Sequence, residues 1–239
     1  MKLLFLIPTY NEAESLPILL RALSVLRKDY NYLVIDDGSP DGTADICVKL
    51  KSEIPGLEIL RRPKKSGLGS AYRDGYRYAL EKNFDAIIQL DADGSHQASD
   101  LPKLLSRIES DRSLDLVIGS RWVKGGSVLN WSKHREALSR LANIYGNVLL
   151  NLGVKDSTAG FRVYKTSTIK KLNLDSIKSE GYCFQIEMTR EIKKIGGLIS
   201  EVPITFVERK FGKSKMSGKI VIEAMLRVTF WGLLRIFRK

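Results

Sequence analysis

The stretch that most limits what this chain can become is residues 87–96, IIQLDADGSH. Ala86, Ile87, Ile88 and Leu90 form an apolar run of the kind a buried strand requires, and it stops abruptly at Asp91-Ala92-Asp93-Gly94. Two carboxylates separated by one small residue, at the carboxyl end of a strand, leave the sheet where open α/β folds bind ligands. Hard oxygen donors of this kind suit Mg²⁺ or Mn²⁺, above all where a diphosphate completes the coordination shell.

The same alternation runs through the first half of the chain. Residues 2–7 read as a strand ending in Pro8-Thr9-Tyr10-Asn11-Glu12, and residues 32–35 as a strand ending in Asp36-Asp37-Gly38-Ser39. Residues 57–60 make a third strand, and residues 114–119 another that ends at Ser120-Arg121-Trp122. A helix follows a Ser15 cap, with Pro17 in its first turn and Leu16, Leu19, Leu20, Leu23 and Leu26 inward. Further helices are predicted over 43–52, over 70–82 behind Gly67-Leu68-Gly69, and from a Ser99 cap to about residue 110. Strand and helix in turn, with short links, predict a mostly parallel, doubly wound sheet whose polar turns share one rim.

At 239 residues the chain can bury a full core as one domain. Two cysteines outside any CxxC pattern and two histidines leave little material for a disulfide framework, a zinc site or a Ser-His-Asp triad. The apolar residues before Pro8 fall short of a signal-peptide core, and the longest uncharged run, 141–154, falls short of a spanning helix. The expectation is a soluble or peripheral protein. A net charge of +12 asks for an acidic partner: nucleic acid, an anionic membrane or a phosphorylated substrate.

Beyond Trp122 the pattern changes. Residues 135–152 are helical, with Leu138, Leu141, Tyr145, Val148, Leu149 and Leu152 on one face and Arg135, Ser139 and Asn143 on an adjacent polar edge. An extended 161–164, a helix near 182–194, an extended 198–207 and a basic loop over 208–218 follow. Residues 219–239 are an amphipathic helix, with Glu223, Arg227, Arg235 and Arg238 on one half and Ile222, Met225, Val228, Leu233 and Ile236 on the other. Such a helix fits an anionic membrane interface, or packing on the sheet or a partner helix.

Taken in order, PTYNE, DDGSPDGT, GLGSAYRDG, DADGSH, GSRW, AGFRVY, GYCFQIE and ERKFGKSKM resemble the dolichol-phosphate mannose synthases and their bacterial polyprenol-phosphate relatives. These belong to the family 2 glycosyltransferases, and the likeness spans residues 3 to about 219. It implies a GT-A fold over 1–218: a Rossmann-like, nucleotide-sugar-binding α/β domain with a mostly parallel central sheet flanked by helices. The C-terminal amphipathic, interfacial helix then occupies 219–239. The resemblance implies that Pro8, Tyr10, Glu12, Ile35 and Asp37 line the nucleotide pocket and that Asp91, Ala92 and Asp93 meet the diphosphate. Asp91, Asp93 and Ser95 are the implied ligands of Mg²⁺ or Mn²⁺; relatives carry Gln in place of Ser95 in some cases, and a hydroxyl is the poorer ligand. Arg121, Arg209 and Lys215 are implied on the donor diphosphate, with Asp91, Asp93, Arg121 and Arg209 as the catalytic set, and Arg135 and Ser139 on the acceptor's phosphate. His96 is expected as a hydrogen-bonded inner residue, Asp36 as structural, and Gly67 and Gly69 as a tight turn that either starts a helix without a ligand or contacts phosphate.

The implied reaction is inverting, metal-dependent transfer of mannose from GDP-mannose to dolichyl or polyprenyl phosphate, giving a β-linked lipid phosphomannose. The acceptor is already an anion at neutral pH and needs no general base, but two phosphates brought together need cations. Implied partners are the nucleotide-sugar, the polyprenyl phosphate, an anionic membrane surface and, in some relatives, a small membrane subunit; the implied place is the cytoplasmic face. A second sugar, such as glucose, on the same lipid is the nearest competing reading. A basic nucleic-acid-binding module lacks any helix-turn-helix, zinc or RNP-type motif here, and a catalytically silent subunit is the third alternative.

Overall fold

The structure, a computed structural model, describes residues 1–27, 29–211 and 218–237. Lys213, Lys215 and Arg238, and the side chain of Ile236, lie outside the described residues. The strands are β1 (Leu3–Thr9), β2 (Asn31–Asp36), β3 (Leu57–Arg61), β4 (Ala86–Gln89), β5 (Leu114–Ser120), β6 (Ser127–Leu129), β7 (Arg162–Lys165), β8 (Leu198–Pro203) and β9 (Thr205–Val207). Seven of them form one sheet in the order β3-β2-β1-β4-β7-β5-β8, and β6 pairs with β9 beside it.

Alternation along β1 sets the layers. Leu3, Phe5 and Ile7 face one core, shared with α1 (Leu16–Leu26), α2 (Thr43–Leu50) and α4 (Leu101–Ser110). Leu4 and Leu6 face the other, with α3 (Leu68–Glu81), α6 (Thr166–Lys170), α7 (Gly181–Lys194) and parts of α5 (Lys133–Leu150) and α8 (Gly218–Phe237). The result is the expected α/β sandwich with helices on both faces.

Among the described residues of the large sheet β7 alone departs from the parallel pattern, running antiparallel to both β4 and β5. An antiparallel strand begins where its parallel neighbours end. The segment leading into β7 therefore lies on the same rim as Asp91 and Arg121, and it brings Thr158 and Gly160 to the cleft there.

Two helix starts differ from the sequence reading. Ser15 makes no cap; its hydroxyl donates to the Glu12 carboxylate at 2.8 Å. Ser99 does not cap α4 either, because a 3₁₀ turn over Ala98–Asp100 precedes it. There Asp100 accepts from the Thr205 N–H at 2.9 Å, tying the turn to β9.

The apolar face of α5 is split: Tyr145 and Leu149 pack against the core, and the rest of it is exposed. Leu138, Leu141 and Val148 are 50%, 63% and 70% exposed, while Asn143 is 2% exposed. The cause is polar: Asn143 Nδ2 donates to Thr158 Oγ1 at 3.1 Å, and its Oδ1 accepts from Ser157 Oγ at 3.0 Å. A buried amide with its partners in place outweighs the apolar periodicity. α8 is split in role. Val228 and Trp231 are buried, with Arg190 over the Trp231 ring at 4.9 Å, whereas Ile222, Met225, Leu226, Phe230 and Leu233 are exposed. Among the described residues no helix is long and apolar enough to cross a membrane.

Candidate active site

Asp91, Ala92 and Asp93 leave the end of β4 in the wall of a cleft of about 290 Å³, lined also by Pro8, Tyr10, Glu12, Asp37 and Arg209. The Asp91 N–H donates to His96 Nδ1 at 3.1 Å. That nitrogen therefore carries no proton, and burial lowers the His96 pKa in the same sense, so the ring is neutral. His96 packs between Phe161 and Phe206, an inner residue that shapes the Asp91 turn. Desolvation raises the pKa of Asp91, and the charge of Asp93 adds to the rise. Gly160 explains part of the AGFR sequence: a Cβ there would meet Asp91 Oδ2 and His96 Cε1, both at 3.2 Å.

Ser95 donates its N–H to Asp93 Oδ1 at 3.0 Å, while its buried hydroxyl has no hydrogen-bond partner among the described residues. Among the described residues no group of three or more His, Cys, Asp or Glu side chains surrounds this point. Two carboxylates and an orphaned hydroxyl fit a hard ion that keeps waters and takes phosphate oxygens, as Mg²⁺ and Mn²⁺ do. Arg209 Nη2 lies 2.9 Å from Asp93 Oδ2.

At the nucleotide end, Asp36 accepts from Thr9 Oγ1 at 3.0 Å and from the Ser39 N–H and hydroxyl, a structural turn. Asp37 faces the cleft, held by Arg62 Nη1 at 2.5 Å and the Ser66 N–H at 3.1 Å. Ile35 is a correction: its side chain is fully buried, its Cδ1 within reach of a Cβ at Gly75, so it belongs to the core between β2 and α3. Gly67 and Gly69 lie against Glu180. Its carboxylate accepts from the N–H groups of Gly69 at 2.7 Å and Ser70 at 3.1 Å, so the start of α3 already holds an anion of the protein's own. A Cβ on Gly67 would lie 2.3 Å from Glu180 Oε2.

A second pocket, of about 320 Å³, adjoins the first and differs in character. Leu138, Leu141, Ala142, Met225 and Val228 make it apolar, and Arg121, Arg135 and Ser139 supply its polar end. The sequence reading places Arg121 on the donor diphosphate; in the structure it lines this groove instead. It is 4% exposed and bound to Asp156, which is fully buried. Arg135 is paired with Glu208 and stacked over Trp131 at 4.1 Å. Thr158 and Tyr182 line both cavities and mark where they meet.

Asp156, Thr158, Gly160, Glu180, Tyr182 and Gln185 are site residues that the sequence reading did not assign. Arg162 of the AGFR motif supports them from below. Its buried guanidinium donates to the carbonyls of Ser157 at 2.6 Å and Gln185 at 3.0 Å, clamping the segment before β7 to α7.

A parallel-rich α/β sheet with paired carboxylates and arginines gathered on its rim is the frame of a GT-A nucleotide-sugar transferase. The chain belongs to glycosyltransferase family 2: the family model described as Glycosyl transferase family 2 matches residues 5–172. Undecaprenyl-phosphate mannosyltransferase of Micrococcus luteus is 48% identical over 233 residues, covering 98% of this chain and 95% of that protein. Polyprenol monophosphomannose synthase of Mycolicibacterium smegmatis is 43% identical over 231 residues, covering 96% and 86%. Glucosyl-3-phosphoglycerate synthase from Mycobacterium tuberculosis, in complex with Mn²⁺, UDP-glucose and phosphoglyceric acid, superposes with a TM-score of 0.72 at 16% identity, over 96% of this chain and 80% of that one. That likeness concerns the fold.

Proposed function

We propose that this chain transfers mannose from GDP-mannose to polyprenyl phosphate, inverting the anomeric carbon, at the junction of the two pockets. The observation that carries the reading is the pairing itself: an acidic cleft opens onto an apolar groove with cations at its polar end, and Thr158 and Tyr182 belong to both. The names of the two relatives near half identity support the sugar and the lipid class.

In this reading Pro8, Tyr10, Glu12 and Asp37 hold the nucleoside, and Asp91 and Asp93, with Ser95 beneath, hold a divalent cation. The ion's contribution, when bound, is to neutralise the diphosphate as it leaves. Arg209 stands beside Asp93 and bears on the same diphosphate; Lys215 joins it on the strength of the family motif. Arg135, Ser139 and Arg121 hold the acceptor phosphate, whose charged oxygen attacks without a base. Cleft and groove share Thr158 and Tyr182, and displacement with inversion requires the acceptor oxygen to reach the anomeric carbon opposite the leaving diphosphate.

The two helices that line the groove also expose Leu141 and Val148 of α5 and Leu226 and Phe230 of α8. With Arg227 and Arg235 alongside, this face lies on an anionic membrane, on its cytoplasmic side. Deleting α8 would also remove the buried Val228 and Trp231, so Leu226→Ser with Phe230→Ser is the better probe. It lowers flotation with anionic liposomes and leaves GDP-mannose binding intact.

The functional test is a donor panel: GDP-mannose, UDP-glucose and other labelled nucleotide-sugars, each with polyprenyl phosphate and Mn²⁺, scored for labelled lipid. Turnover confined to UDP-glucose overturns the mannose reading.

A further inference from the structure

We infer that Asp156 is a positioning residue for Arg121, and that Asp156 and Thr158 together aim one guanidinium nitrogen at the point where the acceptor phosphate meets the donor sugar. This rests on the reading above that the groove receives a phosphate.

The geometry is fully specified. Asp156 Oδ2 accepts from the Arg121 backbone N–H at 2.9 Å and from its Nε at 2.7 Å. Asp156 Oδ1 accepts from Arg121 Nη2 at 2.6 Å, and the second proton of Nη2 goes to Thr158 Oγ1 at 2.8 Å. Nε and Nη2 are thereby used up, and among the described residues Nη1 is left without a protein partner. Arg121 therefore offers the groove a single oriented nitrogen. It does not offer the two-pronged fork that an arginine on a phosphate usually presents.

The unit is also immobilised from outside. Glu201 of β8 accepts from the N–H groups of Lys155 at 2.7 Å and Asp156 at 2.9 Å, and Asn143 of α5 donates to Thr158 Oγ1 at 3.1 Å. The guanidinium carbon sits among the rings of Trp122, Trp131 and Phe206, at 5.2, 5.6 and 5.4 Å. In so apolar a box an arginine without its carboxylate would find another orientation or draw in water. The pair is neutral overall, so Arg121 directs a donor at the phosphate without adding a net charge that would quench the attacking oxygen. Arg135 is left to supply the positive charge.

Asp156→Asn keeps the shape and removes the charge. Steady-state kinetics with polyprenyl phosphate as the varied substrate, and GDP-mannose binding by calorimetry, separate the two pockets. The expected result is a loss of about 10²-fold in kcat/KM for the acceptor, with the donor Kd essentially unchanged. Arg121→Gln alone and Arg121→Gln/Asp156→Asn together complete the cycle, and the double variant is expected to be no slower than Arg121→Gln. Losses that multiply, or an Asp156→Asn protein with wild-type acceptor kinetics, overturn the inference. Should Asp156→Asn lose donor binding as well, Thr158→Val removes the second support of Nη2: impaired acceptor kinetics with donor binding intact supports the inference, and undisturbed acceptor kinetics overturns it. A wild-type protein silent with every polyprenyl phosphate overturns the functional reading and this inference with it; an active wild type with an undisturbed Asp156→Asn overturns this inference alone.

Discussion

Arg209 reaches Asp93 across the cleft, Nη2 to Oδ2 at 2.9 Å, so a cation of the protein's own sits on a carboxylate that a metal ion would use. On the proposed reading two cations would compete for one carboxylate, and an ion seated there would free the arginine for the diphosphate. Arg209→Ala removes the competitor. Mn²⁺ binding, followed by electron paramagnetic resonance, is expected to tighten, while turnover falls by about 10²-fold because the leaving group loses its arginine. Weaker Mn²⁺ binding in this variant would contradict the competition.

The neighbouring Glu208 restrains Arg135 in the same manner, in a pair about 30% exposed on each side. A pair with that much exposure is worth little, so Glu208→Gln is expected to lower the KM for polyprenyl phosphate by roughly two- to five-fold. High salt should erase the difference between variant and wild type.

Glu180 caps α3 from more than a hundred residues away in sequence. Glu180→Ala leaves the N–H groups of Gly69 and Ser70 without their anion and should cost about 1 kcal/mol in a denaturant titration. Gly69→Ala should cost more, because a Cβ there would lie 2.3 Å from the Ser179 carbonyl oxygen.

For Asp156, burial alone would raise the pKa, but the charge and hydrogen bonds of Arg121 outweigh it and hold the carboxyl below the usual carboxylate range. A depressed folded-state pKa gives stability that is present above the unfolded value and lost as pH falls through the folded one. The Asp156→Asn variant should thus be less stable than wild type by about 3 kcal/mol at neutral pH. That gap should narrow in denaturant titrations below about pH 4. A gap independent of pH would mean that the carboxylate is not charged in the native protein.

Much of this site is legible from strand ends. Glu12, Asp37, Asp91 and Asp93 follow apolar runs that can only be buried strands, and parallel strands deliver their carboxyl ends to one rim. Asp156 and Thr158 obey a different rule, because they precede β7 and reach the rim only through its antiparallel direction, which a four-residue strand does not announce. The burial of Asn143 was hidden for a related reason: it looks like a surface residue until the segment before β7 supplies its partners. Ile35 shows the converse error. It neighbours the site in sequence, yet the alternation along β2 sends its side chain beneath α3.

In the proposed reaction a divalent ion on Asp91 and Asp93 lets an already ionised lipid phosphate displace the nucleotide. The most direct measurement is mannolipid formation from GDP-mannose and polyprenyl phosphate by protein stripped with a chelator, then titrated with Mn²⁺. No product is expected after stripping, with recovery on adding Mn²⁺ and none in Asp93→Ala; undiminished product from the stripped protein would rule out a metal-dependent displacement.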